Sequence, residues 1–194
     1  MNVNILLFSD FETLDAFGPV EVLGRVEKCH LRYFSTNGGL VTSSQGVSIV
    51  TDSLENVDFS GILLVPGGQG TRHLINDNTF IKKLSVIALQ SQYCLTVCTG
   101  SALLAKANLL NGRKATSNKR ALEWVRSVNS NVQWISCARW VVDGKFYTSS
   151  GVSAGMDMAL GFISDRFGIE KATEIAQSIE YIWNSNKDND LFAK

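Results

Sequence analysis

Apolar and polar positions recur at strand and helix periods along most of the chain. Val3 to Phe8, broken only by Asn4, is an apolar run of strand length, as expected of a parallel strand covered on both faces. Leu14 to Val26 follows with Leu14, Phe17, Val22, Leu23 and Val26 on a helical face, and Gly18-Pro19 predicts a kink or a late helix start. Leu31 to Ser35 reads as a second strand and Asn37-Gly38-Gly39 as a turn. Val47 to Thr51 reads as a minor strand paired with Gly39 to Thr42. Gly61 to Val65 is a buried strand stopped by Pro66-Gly67-Gly68. Asn78 to Gln90 is a helix with Phe80, Ile81, Leu84, Ile87 and Ala88 on one side.

The alternation continues. Tyr93 to Val97 is a strand, Ser101 to Leu110 a helix stopped at Asn111-Gly112, and Arg120 to Val128 an amphipathic segment. Val132 to Ser136, Trp140 to Val142 and Phe146 to Ser149 are strands, the last two joined by Asp143-Gly144, a hairpin signal. Ser153 to Phe167 is a helix with Ser153 as N-cap and Gly168 as terminator, and Ile169 to Trp183 is the final helix. The segment 184–194 is polar and expected to fray. Strands alternating with helices predict an α/β fold, a three-layer α/β/α sandwich with a mostly parallel central sheet. No linker or repeat divides residues 1–194, so one domain is expected.

Charge and composition narrow the function. Eighteen basic and eighteen acidic residues cancel, so no global field favours nucleic acid or an anionic membrane. The N-terminus lacks the charged start and apolar stretch of a signal peptide, and no apolar run reaches transmembrane length, so a cytoplasmic protein is expected. The spacing of Cys29, Cys94, Cys98 and Cys137 fits neither paired zinc ligands nor a secreted disulfide framework. His30 and His73 stand apart from clustered carboxylates, so neither a metal site nor a cofactor is expected.

The chemistry therefore falls to a thiol. In Val97-Cys98-Thr99-Gly100-Ser101 an apolar strand runs into Cys98, and small residues open an Ala/Leu-rich helix, a layout resembling a nucleophile elbow. A thiol there is expected to feel the helix N-terminus, lowering its pKa. Cys29, Cys94 and Cys137 read as small buried hydrophobes. Val65-Pro66-Gly67-Gly68-Gln69-Gly70 could cradle an oxyanion with backbone N–H groups, though most Gly-rich turns only turn. Asp15, on a segment that otherwise looks inward-facing, is either a capping group or a carboxylate held over the site. Asp10 and Glu12 read as solvated.

Leu14-Asp15-Ala16-Phe17-Gly18-Pro19, Val65-Pro66-Gly67-Gly68, Val97-Cys98-Thr99-Gly100-Ser101 and Thr148 to Asp157 resemble, in that order, motifs of the ThiJ/PfpI superfamily. The likeness is greatest to its isonitrile hydratase branch. The resemblance implies a flavodoxin-like, class I glutamine amidotransferase-like fold and a homodimer acting on a small molecule, with Trp124, Trp134 and Trp140 as interface or core rings. It implies Cys98, Asp15 and Thr99 as catalytic residues, with Gly67, Gly68, Gly100 and Asn118 binding the oxyanion or substrate. Asn118 departs from the pattern: many relatives carry a histidine in that segment, and an amide cannot act as a base. That weakens an amidase or protease mechanism unless His73 substitutes. A glyoxalase-like activity, or a stress protein in which Cys98 is oxidised, are the alternatives. Regulators with an added helix-turn-helix region share the Leu-Asp-x-x-Gly-Pro segment; 194 residues leave no room for that region, so no nucleic-acid role is expected.

Overall fold

The computed structural model describes residues 1–55 and 58–193. Its sheet is built on β1 (Asn2–Leu6), β2 (His30–Ser35), β5 (Ile62–Val65), β6 (Tyr93–Thr96) and β10 (Phe146–Ser149), which run parallel. β4 (Ser48–Ser53) joins β2 in parallel, while β3 (Asn37–Thr42) and β9 (Trp140–Asp143) form antiparallel edges, giving the order β3-β4-β2-β1-β5-β6-β10-β9. The inner strands are apolar because both faces are covered: Ile62, Leu63, Leu64 and Val65 are all buried. One layer holds α1 (Thr13–Gly24), α6 (Ala154–Phe167) and α7 (Ile169–Ser178), with α1 and α7 both against α6. The other holds α2 (Thr71–Leu74), α3 (Asn78–Gln90), α4 (Gly100–Lys106) and α5 (Leu122–Val128). β7 (Lys114–Ala115) and β8 (Gln133–Trp134) form a separate parallel pair.

The core order β2-β1-β5-β6-β10 is flavodoxin-like. The chain leaves β1 toward one edge and continues from β5 toward the other, so the loops after β1 and β5 diverge and open a crevice at their carboxyl ends. The motif residues after β1, β5 and β6 gather there.

Several expectations are corrected. Asn37-Gly38-Gly39 is not a turn but the start of β3, where positive φ at Gly38 (72°) and Gly39 (83°) lets the strand twist into register. α1 does not start late: it begins at Thr13 and carries Pro19 within it. Gly18 permits its close seat on α6, since a Cβ there would lie 2.8 Å from Met156 Cγ. Ser153 makes no side-chain cap to α6; its hydroxyl faces Arg139 instead. The helix read to Leu110 ends at Lys106, the segment 132–136 keeps only a two-residue strand, and the last helix ends at Ser178.

The segment from Asn184, expected to fray, is tied down. The Lys187 carbonyl accepts from the Arg139 and Trp140 N–H groups (2.7 and 3.2 Å), and Asp190 N–H donates to the Cys137 carbonyl (2.7 Å). No helix is long and apolar enough to cross a membrane among the described residues.

Candidate active site

Cys98 stands between β6 and α4 with φ of 56°, in the left-handed region that costs a non-glycine residue about 1–2 kcal/mol. Three hydrogen bonds hold it there. Its N–H donates to the Ser150 carbonyl (3.0 Å), and its carbonyl accepts from the hydroxyls of Ser101 (3.1 Å) and Ser117 (2.7 Å). The residue is 7 % exposed. An overdetermined, strained turn that presents a single thiol is the geometry of a nucleophile elbow.

Asp15, in the first turn of α1, is fully buried. Its Oδ2 accepts from the Gly67 N–H (3.0 Å), while Oδ1 has no well-formed hydrogen bond among the described residues. Gly67 has to be glycine, because a Cβ would lie 2.6 Å from Thr99 N, 2.7 Å from Thr99 Oγ1 and 2.8 Å from Asp15 Oδ2. Thr99 Oγ1 accepts from the Gly68 N–H (3.1 Å) and lies 3.1 Å from the Thr71 hydroxyl. The Asn118 Oδ1 accepts from the N–H groups of Arg120 (2.9 Å) and Ala121 (3.2 Å), capping a 3-10 turn over Lys119–Ala121. That fixes the amide so that its donor end serves the Cys98 sulfur.

The electrostatics of the thiol differ from the sequence expectation. Burial pushes Cys98 well above the ordinary thiol range and the Asp15 charge pushes it further. Donors from the Thr99 N–H, the Asn118 amide and the Thr99 hydroxyl only partly oppose this. α4 is a seven-residue helix, too weak a dipole to reverse a desolvated thiol beside a carboxylate. Burial likewise raises Asp15 to about 7, opposed by the Gly67 hydrogen bond, helped by the charge of Glu12 and slightly eased by Cys98. The two groups titrate as a pair. Near neutrality the pair passes from two protons to one: Asp15 ionises, and the proton that stays is on the sulfur.

The structure therefore brings Cys98, Asp15, Thr99 and Asn118 together. The glycines have a different task from the one expected. The Gly67 N–H is engaged by Asp15, the Gly68 N–H by Thr99, and the Gly100 N–H by the Val97 carbonyl (2.9 Å), so none is free to meet an oxyanion. They position side chains; the donors left facing the sulfur are the N–H and hydroxyl of Thr99 and the Asn118 amide.

Other candidates fall away from this cluster. His73 is exposed and lines a separate groove of about 360 Å³ with Phe8, Asp10 and Asn37. Leu14 is 39 % exposed rather than inward-facing, Cys137 is exposed rather than core, and Trp140 is core. No group of three or more His, Cys, Asp or Glu side chains among the described residues could hold a metal. Sequence reasoning missed the hydroxyls of Ser101 and Ser117 and the Ser150 carbonyl, which carry no periodic signal. It also missed the buried pair of Arg139 Nε and Asp157 Oδ2 (2.7 Å). A usable signal existed there: Asp157 interrupts the apolar stripe of α6.

The profile of the DJ-1/PfpI family matches residues 1–165. The chain is similar to an isonitrile hydratase of Pseudomonas putida, 30 % identical over 183 residues that span 93 % of this chain and 78 % of that protein. It is also similar to the HTH-type transcriptional regulator GbdR of Pseudomonas aeruginosa, 27 % identical over 93 % of this chain, which spans only half the length of that regulator. Among solved structures, a ThiJ/PfpI family protein from Pseudomonas syringae superposes with a TM-score of 0.81 at 26 % identity, covering 93 % of this chain and 74 % of that one.

Proposed function

The chain belongs to the DJ-1/PfpI family, and from that premise we propose that it is a cofactor-independent enzyme that hydrates an isonitrile to an N-substituted formamide, with Cys98 as nucleophile and Asp15 as proton carrier. The observation that carries this reading is the buried Cys98–Asp15 pair, in which a carboxylate raised to about 7 stands beside the thiol and no imidazole does. The identity to an isonitrile hydratase over most of the chain supports the reaction class.

The chemistry follows from one shared proton. An isonitrile carbon accepts a nucleophile only as it gains a proton. Asp15, ionised, takes the thiol proton as the sulfur bonds to that carbon, and delivers it to the same carbon, giving a thioimidate, R–N=CH–S–Cys98. Water deprotonated by Asp15 then adds to the thioimidate carbon while the nitrogen is protonated. Collapse of the adduct expels the sulfur, which recovers its proton, and leaves R–NH–CHO. The Thr99 N–H and the Asn118 amide stabilise the sulfur while it bears charge. The same family reading supports a homodimer acting on a small molecule, which sedimentation would test.

The test is formamide production from cyclohexyl isocyanide by wild type, Cys98→Ala and Asp15→Asn. Turnover by wild type that disappears in both variants supports the assignment. Turnover by Cys98→Ala, or full turnover by Asp15→Asn, overturns it, and no turnover by wild type removes the isonitrile.

A further inference from the structure

One buried charged cluster plays no part in that chemistry. Asp190 is 3 % exposed, with Oδ1 3.5 Å from Arg139 Nη1 and Oδ2 4.0 Å from Lys119 Nζ. Lys119 also donates to Thr116 Oγ1 (2.8 Å) and to the Ala138 carbonyl. Arg139 donates through Nε to Asp157, whose Oδ1 accepts from the Tyr181 hydroxyl and the Asn184 N–H, both at 3.0 Å. Polar chain ends ordinarily stay in water. This one carries a carboxylate into the interior.

Asp190 Oδ1 accepts from the Phe192 N–H (3.0 Å), so Lys119 and Arg139 face it as charges, and both of their segments lead to the same sulfur. Lys119 follows Asn118, whose amide faces the Cys98 thiol and whose Nδ2 is packed against Gly151. The Arg139 carbonyl accepts from the Ser150 N–H (2.8 Å), and the Ser150 carbonyl accepts from the Cys98 N–H (3.0 Å). Residues 184–193 are thus linked to the elbow by two routes, one through the Asn118 side chain and one through the Arg139–Ser150 backbone.

We propose that residues 184–193 form a strap across Lys119 and Arg139 and that Asp190 is a positioning residue, holding Asn118 near the Cys98 sulfur through Lys119 and Ser150 against the Cys98 backbone through Arg139. The inference rests on reading Cys98 as the reacting group, but not on which electrophile it takes. Burial works against the Lys119 ammonium, and Asp190 is the leading charge in its favour. Without that carboxylate a buried cation has to reach water or give up its proton, and either outcome moves the neighbouring Asn118.

The experiment compares alkylation of Cys98 by iodoacetamide across pH in wild type, Asp190→Asn, Asp190→Glu and Lys119→Met, each checked for folding by circular dichroism. Loss of one hydrogen bond to a charged sulfur lowers the thiolate fraction and slows the reaction about tenfold in Asp190→Asn and in Lys119→Met at each pH, since the thiol titrates above the range in which the protein is assayed. Asp190→Glu, which restores the charge, recovers most of the rate. Variants that melt at a lower temperature yet alkylate at the wild-type rate show that the strap only stabilises the fold, which overturns the proposal. Lys119→Met removes a buried cation rather than exposing one, so it carries the test if Asp190→Asn does not fold. Alkylation reads the sulfur directly, so a wild type that hydrates no isonitrile refutes the proposed reaction without deciding the strap.

Discussion

Asp15→Asn should stabilise the folded protein while it abolishes turnover, and the size of the gain should depend on pH. Burial lifts the Asp15 carboxyl from 3.8 to about 7, so the fold disfavours its ionised form. The sign follows from proton binding. Between those two values the folded chain binds more protons than the unfolded one, so the stability attached to this group is full below about 3.8 and is lost as pH rises to about 7. Each pH unit is worth about 1.4 kcal/mol, so the ionised group costs roughly 4 kcal/mol above neutrality. The amide recovers part of that, because its oxygen can keep the Gly67 N–H while its NH2 replaces an Oδ1 that already lacks a partner, at a cost of about 1–3 kcal/mol. That cost does not vary with pH and cancels in a difference. Urea unfolding of wild type and Asp15→Asn at about pH 5 and about pH 8.5 isolates the charge. The advantage of the variant should be greater at the higher pH by about 3 kcal/mol. An advantage equal at both values, or greater at the lower, would refute the claim that a desolvated carboxylate sits beside the thiol.

The remaining predictions concern the elbow, the carboxylate and the ion pair. Formamide production should rise with pH through about 7, because Asp15 has to be ionised to accept the thiol proton, and a rate flat across that range would contradict this role. Cys98→Gly should be more stable than Cys98→Ala by about 1 kcal/mol, inverting the usual order, because φ at 98 is 56°; thermal unfolding of the two inactive chains decides it. Gly67→Ala should cut turnover at least about 100-fold by displacing Thr99 and Asp15, and a near-normal rate would mean that their spacing does not matter. Arg139→Met should cost about 3–5 kcal/mol in denaturant unfolding, since it leaves Asp157 and Asp190 buried without their shared guanidinium; a cost below about 1 kcal/mol would mean that the cluster is hydrated.

Much of the fold was legible because its signals are local. The apolar runs at β1, β5 and β6 need burial on both faces, and the small residues after Cys98 announce a strand-to-helix turn. Asp15 was visible as a carboxylate on an otherwise inward-facing segment, though whether it caps or serves the site was not, since that depends on the Gly67 N–H contributed by a distant loop. Where reading failed, the deciding interaction was tertiary. Gly38 and Gly39 look like a turn until β4 pairs with them. The chain after Asn184 looks solvated because its composition is polar. It is held by partners at 119, 137 and 139 that no sequence window contains. The thiol was misjudged for the same reason: helix polarity can be read from sequence, whereas desolvation beside Asp15 cannot.

The treatment of buried carboxylates across the molecule sharpens the case for the Cys98 site. Asp157 is fully buried, and it receives Arg139, the Tyr181 hydroxyl and the Asn184 N–H. Asp190 is nearly as buried and lies between Arg139 and Lys119. Asp15 is as buried as either, yet among the described residues it has one backbone N–H, no paired cation, and the added repulsion of Glu12. A fold that supplies cations to two interior carboxylates leaves the third without one beside a strained cysteine. Packing does not require this. Gly67 makes room for the carboxylate where a larger residue would fill the space, and three hydrogen bonds hold Cys98 in a conformation that glycine would adopt more easily. Strain and an uncompensated charge at one point, each maintained by neighbouring residues, lower stability there without any gain in packing. Proton transfer gives them a use, because an ionised carboxylate that readily regains a proton near neutrality can take one from the thiol and return it to a bound carbon.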